Sequence, residues 1–216
     1  MIKGVIFDLD GTLLNTLADL TNITNKTLEE FGYPPRSMEE VEWYVGNGAR
    51  PLIQRALPDD LKLSEGEFEK IYEVMLGNYA KYQNIYATVY DGMEEVLLEM
   101  KARGIRTAIV TNKPHSAAED ILHKYFEGLI EVSRGAHDGV PKKPDPALCN
   151  LVLEAFGLTP EECIYVGDSD TDIDTAKNAG LLSVSVTWGF RRKQFLIEHG
   201  AEHFAEKPEE LLRYLD

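Results

Sequence analysis

The 216-residue sequence predicts a doubly wound α/β core with a parallel sheet, interrupted once by a small all-helical insertion. Three observations carry that expectation. A short continuous apolar run, Val5-Ile6-Phe7, stands near the start and is broken by Gly11, as in a parallel strand covered on both faces. After about residue 84, strand-like runs alternate with helical stretches of roughly 10–15 residues, the pattern of βαβ units. Between these regions, residues 16–83 show helical spacing and no strand-like run. The expected domains are a core of residues 1–15 and 84–216 and a helical cap of residues 16–83, with hinges near Asn15–Leu17 and Tyr82–Val89.

In the cap, Leu17, Leu20, Ile23, Thr27, Leu28 and Phe31 recur at helical spacing until Gly32 and Pro34-Pro35 stop them. Met38–Tyr44 and Ala49–Leu57 predict two short helices, the second ended by Pro58. Phe68, Ile71, Tyr72, Met75, Tyr79 and Tyr82 mark one face of a longer helix. In the core, Asp91–Arg103 predicts a helix closed by Gly104. Arg106–Thr111 predicts a strand, Pro114–Tyr125 a helix and Leu129–Ser133 a weaker strand. Asp145-Pro146 opens a helix with an N-cap and a first-turn proline, and Gly157 ends it. Ile164–Gly167 predicts a strand, Thr171–Ala179 a helix and Ser183–Thr187 the last core strand, with helices near 191–199 and 208–214.

Composition excludes several classes. The net charge of −15 argues against nucleic acid or an anionic membrane as partner, since both demand a basic face. No apolar run approaches the length of a membrane span. Met1 leads straight into the first strand without a signal-peptide pattern, and Cys149 and Cys163 make no disulfide framework, so a reducing cytoplasm is expected. Sequence leaves the oligomeric state open.

Polar groups gather where three strands end. Strand 1 ends at Asp8 and Asp10, and the period of two places both on one face. Paired carboxylates are costly unless a cation lies between them, which points to a divalent-metal site with Asp8 as candidate nucleophile and Asp10 as its acid/base partner. The strand Thr107–Val110 ends at Thr111-Asn112-Lys113, and Ile164–Gly167 ends at Asp168-Ser169-Asp170-Thr171-Asp172. Open α/β sheets bind ligands at such carboxyl ends, so a central strand 1 would bring all three together. Asp8 and Asp168 offer hard oxygens to Mg²⁺, Thr111 offers a hydroxyl, and the following helix offers free N–H groups to an anion. Lys143, held extended before Pro144, can neutralise both a phosphate and Asp8. Asp170 and Asp174 are expected to face solvent at a helix N-terminus.

These four segments resemble the haloacid dehalogenase superfamily of phosphohydrolases. Asp8-Leu-Asp10-Gly11-Thr12 is similar to its first motif, Thr111-Asn112 to its second, Lys143-Pro144 to its third and Gly167-Asp168-Ser169 with Asp172 to its fourth. The resemblance implies Asp8 as nucleophile, Asp10 as general acid/base, and Mg²⁺ on Asp8, the Asp10 carbonyl and Asp168, with Asp172 and Ser169 in support. Within the superfamily, Tyr44–Leu57, including Gly46-Asn47-Gly48-Ala49-Arg50, resembles the cap of phosphoglycolate phosphatases, as does the tail from Trp188-Gly189 to Leu212. Asn15 departs from the acid common at that position. The implied activity is Mg²⁺-dependent hydrolysis of a small phosphomonoester, foremost 2-phosphoglycolate, through an aspartyl-phosphate. The alternatives are a β-phosphoglucomutase-like phosphomutase, a broad sugar or nucleotide phosphatase and, more remotely, a non-catalytic phosphoacceptor module. Gly48 and Arg50 would address the substrate, Arg50 by gripping a carboxylate in two-pronged fashion.

Overall fold

The apolar run Val5-Ile6-Phe7 has both of its faces buried, and everything around it follows from that burial. In the computed structural model, which describes residues 1–137 and 139–216, β1 (Gly4–Phe7) holds this run and is followed by a tight loop and β2 (Leu14–Asn15). Four helices come next: α1 (Leu17–Glu30), α2 (Met38–Tyr44), α3 (Ala49–Ala56) and α4 (Glu65–Tyr82). β3 (Thr88–Val89) pairs with β2 and leads to α5 (Met93–Ala102). The chain then alternates through β4 (Arg106–Pro114), α6 (His115–Tyr125), β5 (Val132–Ala136), α7 (Ala147–Phe156) and β6 (Cys163–Gly167). It continues through α8 (Asp170–Ala179), β7 (Leu182–Val186), α9 (Lys193–Glu198) and β8 (Phe204–Ala205) to a 3₁₀ segment, Pro208–Tyr214. Two compact units result, one of Met1–Asn15 with Val89–Asp216, the other of Thr16–Thr88.

In the first unit, six strands form a parallel sheet in the order β5-β4-β1-β6-β7-β8. β1 is central, with Phe7 level with Ile109 of β4 on one side and Val166 of β6 on the other. Alternation divides the side chains between two apolar layers. Val5, Phe7, Ile109, Ile164 and Val166 pack with Met93, Leu97 and Met100 of α5 and with Ile121 of α6. Ile6, Ala108, Val110 and Tyr165 pack on the other face with Leu148 and Val152 of α7 and Ala176 of α8. Each fully buried aliphatic of this kind contributes on the order of 1.5–3 kcal/mol. The strand order reverses at β1, and the carboxyl ends of β1, β4 and β6 open on the same edge. That is the crevice in which doubly wound folds bind their ligands.

Four sequence expectations shift. The weak strand expected at Leu129–Ser133 begins at Val132, because Leu129 and Ile130 N–H groups donate to Phe126 in a turn that buries Ile130. Ser183–Thr187 is not the last core strand. β8 adds a parallel edge beside β7, in two residues too few to show a period. The segment at 208–214 winds as a 3₁₀ rather than an α-helix. α7 starts at Ala147 with Pro146 at the N-cap, and Asp145 instead accepts a hydrogen bond from the Ala147 N–H at 2.9 Å.

Apart from Thr88, where β3 begins, the described elements of the second unit are all helices. Ser37 and Ser64 open α2 and α4 with reciprocal capping boxes to Glu40 and Glu67. α1 and α4 meet through Thr27, whose hydroxyl accepts from Asn78 Nδ2 at 3.1 Å. Arg36 donates to the last carbonyls of α3, at Ala56 and Leu57, which would otherwise end the helix unpaired. Asp19, buried in the first turn of α1, accepts the backbone N–H groups of Ile85, Tyr86 and Ala87 at 3.1, 2.9 and 3.0 Å. Asp19→Ala strands three donors, at a cost on the order of 1–3 kcal/mol. Amide hydrogen exchange at Ile85–Ala87 is expected to accelerate while exchange in β1 stays slow. Unchanged protection at those three amides would show that the carboxylate does not hold the segment.

Candidate active site

β1 delivers Asp8 to the crevice. The Asp8 N–H donates to the Val166 carbonyl at 2.8 Å and so extends the ladder one residue past the strand. The chain then turns around the Leu9 carbonyl, which accepts from Thr12, Leu13 and Leu14. This turn is why the period of two does not govern Asp10. Asp8 and Asp10 are each met by their own cation. Lys143 Nζ lies 2.8 Å from Asp8 Oδ1, whereas Lys113 Nζ donates to both Asp10 oxygens at 3.0 and 3.4 Å. All but a few per cent of each lysine is buried.

Lys143 is the hub. Besides its ion pair with Asp8, it donates hydrogen bonds to Asp172 Oδ1 at 2.7 Å and to the Tyr165 hydroxyl at 2.9 Å, so one ammonium faces three oxygens. Tyr165 in turn donates to Asp172 Oδ1 at 3.1 Å or to the Val110 carbonyl at 3.2 Å. The other Asp172 oxygen accepts from the Asp168 and Ser169 N–H groups and from Ser169 Oγ, as the N3 member of the α8 capping box. Both oxygens of Asp172 are therefore engaged in holding the loop and the lysine. Asp168 accepts from Thr12 Oγ1 at 3.3 Å and from the Phe190 N–H at 2.7 Å. A Cβ on Gly11, at φ +89°, would fall 2.4 Å from Asp168 Oδ2, and one on Gly189 would fall 2.3 Å from Asp168 Cβ, so this carboxylate fits only against bare backbone.

Thr111 and Asn112 lie at the end of β4, both buried. Thr111 Oγ1 accepts from the Lys113 N–H at 3.2 Å, and Asn112 Nδ2 donates to the Lys143 carbonyl at 3.1 Å, tying the Lys143 segment to β4. Gly48 and Arg50 belong to the helical unit. Gly48 is the N-cap of α3, and Arg50 pairs with Glu69 of α4 while its guanidinium lies over the rings of Tyr72 and Phe68 at 4.7 and 5.1 Å. The contacts of Arg50 in this unit thus bind α3 to α4.

The electrostatics of the site favour added positive charge. Oxygens of Asp8, Asp168 and Asp172 lie within 4.8 Å of one another. Burial first, then Asp172, push the Asp8 carboxyl up to about 7, against the opposing pull of Lys143. Burial, Asp172 and Asp8 raise Asp168 well above its ordinary value in the same way. Burial alone would depress Lys143, but Asp172 and Asp8 outweigh it and hold the ammonium charged. Asp8 Oδ1, although close to Lys143, has no hydrogen-bond partner of acceptable geometry. An orphaned buried oxygen, hard carboxylate donors and unmet negative charge fit a small divalent cation held by Asp8 and Asp168.

The fold and this crevice agree with a family match. The sequence matches the haloacid dehalogenase-like hydrolase family over residues 5–186. The chain belongs to the haloacid dehalogenase-like hydrolases. It is 36% identical to a phosphoglycolate phosphatase of Vibrio parahaemolyticus over 98% of this chain and 95% of that one. It is 35% identical to a phosphoglycolate phosphatase of Cereibacter sphaeroides, covering 99% of each. Among solved structures, a predicted phosphoglycolate phosphatase from Haemophilus somnus superposes with a TM-score of 0.91 at 30% identity, over 100% of this chain and 98% of that one. No described helix of this hydrolase is long and apolar enough to cross a membrane.

Two members of the site escape a reading of the sequence. Tyr165 reads as strand filler, because only its hydroxyl departs from an apolar pattern. Lys113 follows Thr111-Asn112 directly, yet a lysine after a strand usually means solvent, and only the coordinates show it buried on Asp10.

The shifted Asp8 contributes to the pH dependence of stability in the metal-free hydrolase. Its folded value of about 7 exceeds the ordinary 3.8, so its contribution is complete below about 3.8 and is lost as pH rises through 7. In chelator, Asp8→Asn is expected to flatten the fall of Tm between pH 4 and 8 relative to the parent. Thermal scans at several pH values giving parallel curves would show that Asp8 carries no such penalty.

Proposed function

We propose that this protein is a Mg²⁺-dependent phosphatase for a small phosphomonoester, with 2-phosphoglycolate the leading substrate, acting through an aspartyl-phosphate on Asp8. The observation that carries this reading is the buried Asp8 carboxylate, paired with Lys143 at 2.8 Å beside Asp168, in a family whose relatives include phosphoglycolate phosphatases. A Mg²⁺ ion on Asp8, Asp168 and the Asp10 carbonyl would supply positive charge to the transferring phosphoryl group.

An oxygen of Asp8 attacks phosphorus while the bond from phosphorus to the ester oxygen breaks. Asp10 gives its proton to that leaving oxygen, which departs as the alcohol. Asp10, now ionised, takes a proton from the water that attacks the phosphoryl group on Asp8, and phosphate and free Asp8 result. Lys143 keeps Asp8 oriented and neutralises charge on the transferring oxygens. Thr111 Oγ1, Asn112 and the N–H groups at the end of β4 stabilise the same oxygens. Asp172 and Ser169 hold Lys143 and the Asp168 loop in place. Gly48 and Arg50 contribute from the helical unit, Arg50 by exchanging Glu69 for a substrate group. The substrate is a small molecule, not nucleic acid, and the cytoplasm is the compartment that fits two reduced thiols.

With Mg²⁺, the protein is expected to release phosphate from 2-phosphoglycolate faster than from sugar phosphates or nucleotides. A preference for a sugar phosphate would favour the mutase-like reading, and no release from any ester, including an aryl phosphate, would leave a phosphoacceptor module. Asp8→Asn is expected to abolish turnover. Asp10→Asn is expected to lower kcat by about 10²–10⁴-fold, the usual worth of a positioned acid/base. Near-parental rates in either variant would remove the corresponding role.

A further inference from the structure

Lys113 has no part in the chemistry so far, although its ammonium is almost wholly buried and contacts both oxygens of Asp10. Among the described residues of the core unit, two other cations are buried. Lys143 donates to Asp172 and Tyr165 and pairs with Asp8, and Arg191 acts on Asp168. Lys113 is placed on the carboxylate that serves the leaving group. A proton donor must lie within about 2.6–3.2 Å of the oxygen it protonates. Lys113 Nζ is 3.0 Å from that donor, so it stands within two hydrogen-bond lengths of the ester oxygen.

The leaving group of a phosphorylated 2-hydroxy acid puts its carboxylate carbon two bonds, each about 1.5 Å, from that same ester oxygen. A carboxylate so close falls in the shell that Lys113 occupies, and an ammonium can bridge two carboxylates. Arg50, the other candidate for this task, must release Glu69 to take a substrate group, whereas Lys113 keeps Asp10 while it gains the carboxylate. Resting on the phosphatase reading above, we infer that Lys113 is the specificity-determining residue. It bridges Asp10 and the carboxylate of the substrate, and it selects phosphate esters of short 2-hydroxy acids over those of neutral alcohols. The same contact draws the leaving oxygen toward Asp10, so recognition and proton delivery share one cation.

The test compares 2-phosphoglycolate with 2-hydroxyethyl phosphate, which has a leaving group of the same length and no carboxylate. Kinetics are measured on the full chain with Mg²⁺. The parent is expected to favour 2-phosphoglycolate. Lys113→Met is expected to raise KM for 2-phosphoglycolate at least tenfold more than for 2-hydroxyethyl phosphate, and Lys113→Arg to restore part of the preference. Lys113→Gln repeats the comparison should the methionine variant fail to fold, as judged by circular dichroism. Equal losses on both esters would make Lys113 only a prop for Asp10 and overturn the inference. So would a preference that survives Lys113→Met or Lys113→Gln, or one that Arg50→Ala alone abolishes. A parent that hydrolyses neither of these esters nor an aryl phosphate defeats the phosphatase reading itself, whereas a parent that hydrolyses both esters equally, or an aryl phosphate but neither of them, defeats only the inference.

Discussion

The buried ion cluster around Lys143 is the constraint on which the rest depends. One ammonium meets Asp8, Asp172 and the Tyr165 hydroxyl, and each of these comes from a different stretch of chain. Truncating one member of such a cluster leaves its partners charged and unsolvated, which is far costlier than the cluster's net contribution to stability. The cluster therefore works as a specification rather than as glue. It requires β1, β6 and the start of α8 to be in register, and it requires the Lys143 segment to reach over them.

That requirement explains the close packing nearby. Asp172 can serve Lys143 only because its other oxygen is the cap partner of Ser169 and accepts the Asp168 N–H. Asp168 can approach the loop after β1 only because Gly11 and Gly189 carry no side chain there. Helix capping, ordinarily a local device, here orients a residue that holds Lys143 at the other end of the hydrogen-bond chain. Unmet negative charge remains at Asp8 and Asp168. An isolated protein must bear it as raised proton affinity, and a bound cation would relieve it.

Much of this was legible in the sequence because apolar continuity and strand-end polarity are strong signals. Val5-Ile6-Phe7 announced a strand buried on both faces, and the α/β alternation announced the parallel sheet. Lys143 stood out by its place before a proline, and Asp172 by its place one helical turn after Asp168. What stayed hidden had weak or contrary local signals. Phe204–Ala205 is too short to show a period, and Leu129-Ile130 is apolar for a turn rather than a strand. Lys113 was visible only as part of a polar strand end, since burial of a lone lysine depends on an anion distant in sequence. The pairing of Arg50 with Glu69 was equally invisible, because their separation of 19 residues joins two helices through a loop whose course no pattern reveals.

The shortness of β8 has its own consequence. An exposed edge strand offers a row of free N–H and C=O groups on which another chain can build. Here the sheet tapers to two residues on that side, and on the opposite edge β5 places the charge of Arg134 among its few residues. Neither border gives a neighbouring molecule a long, flat template, so the sheet is guarded against growing by addition of foreign strands.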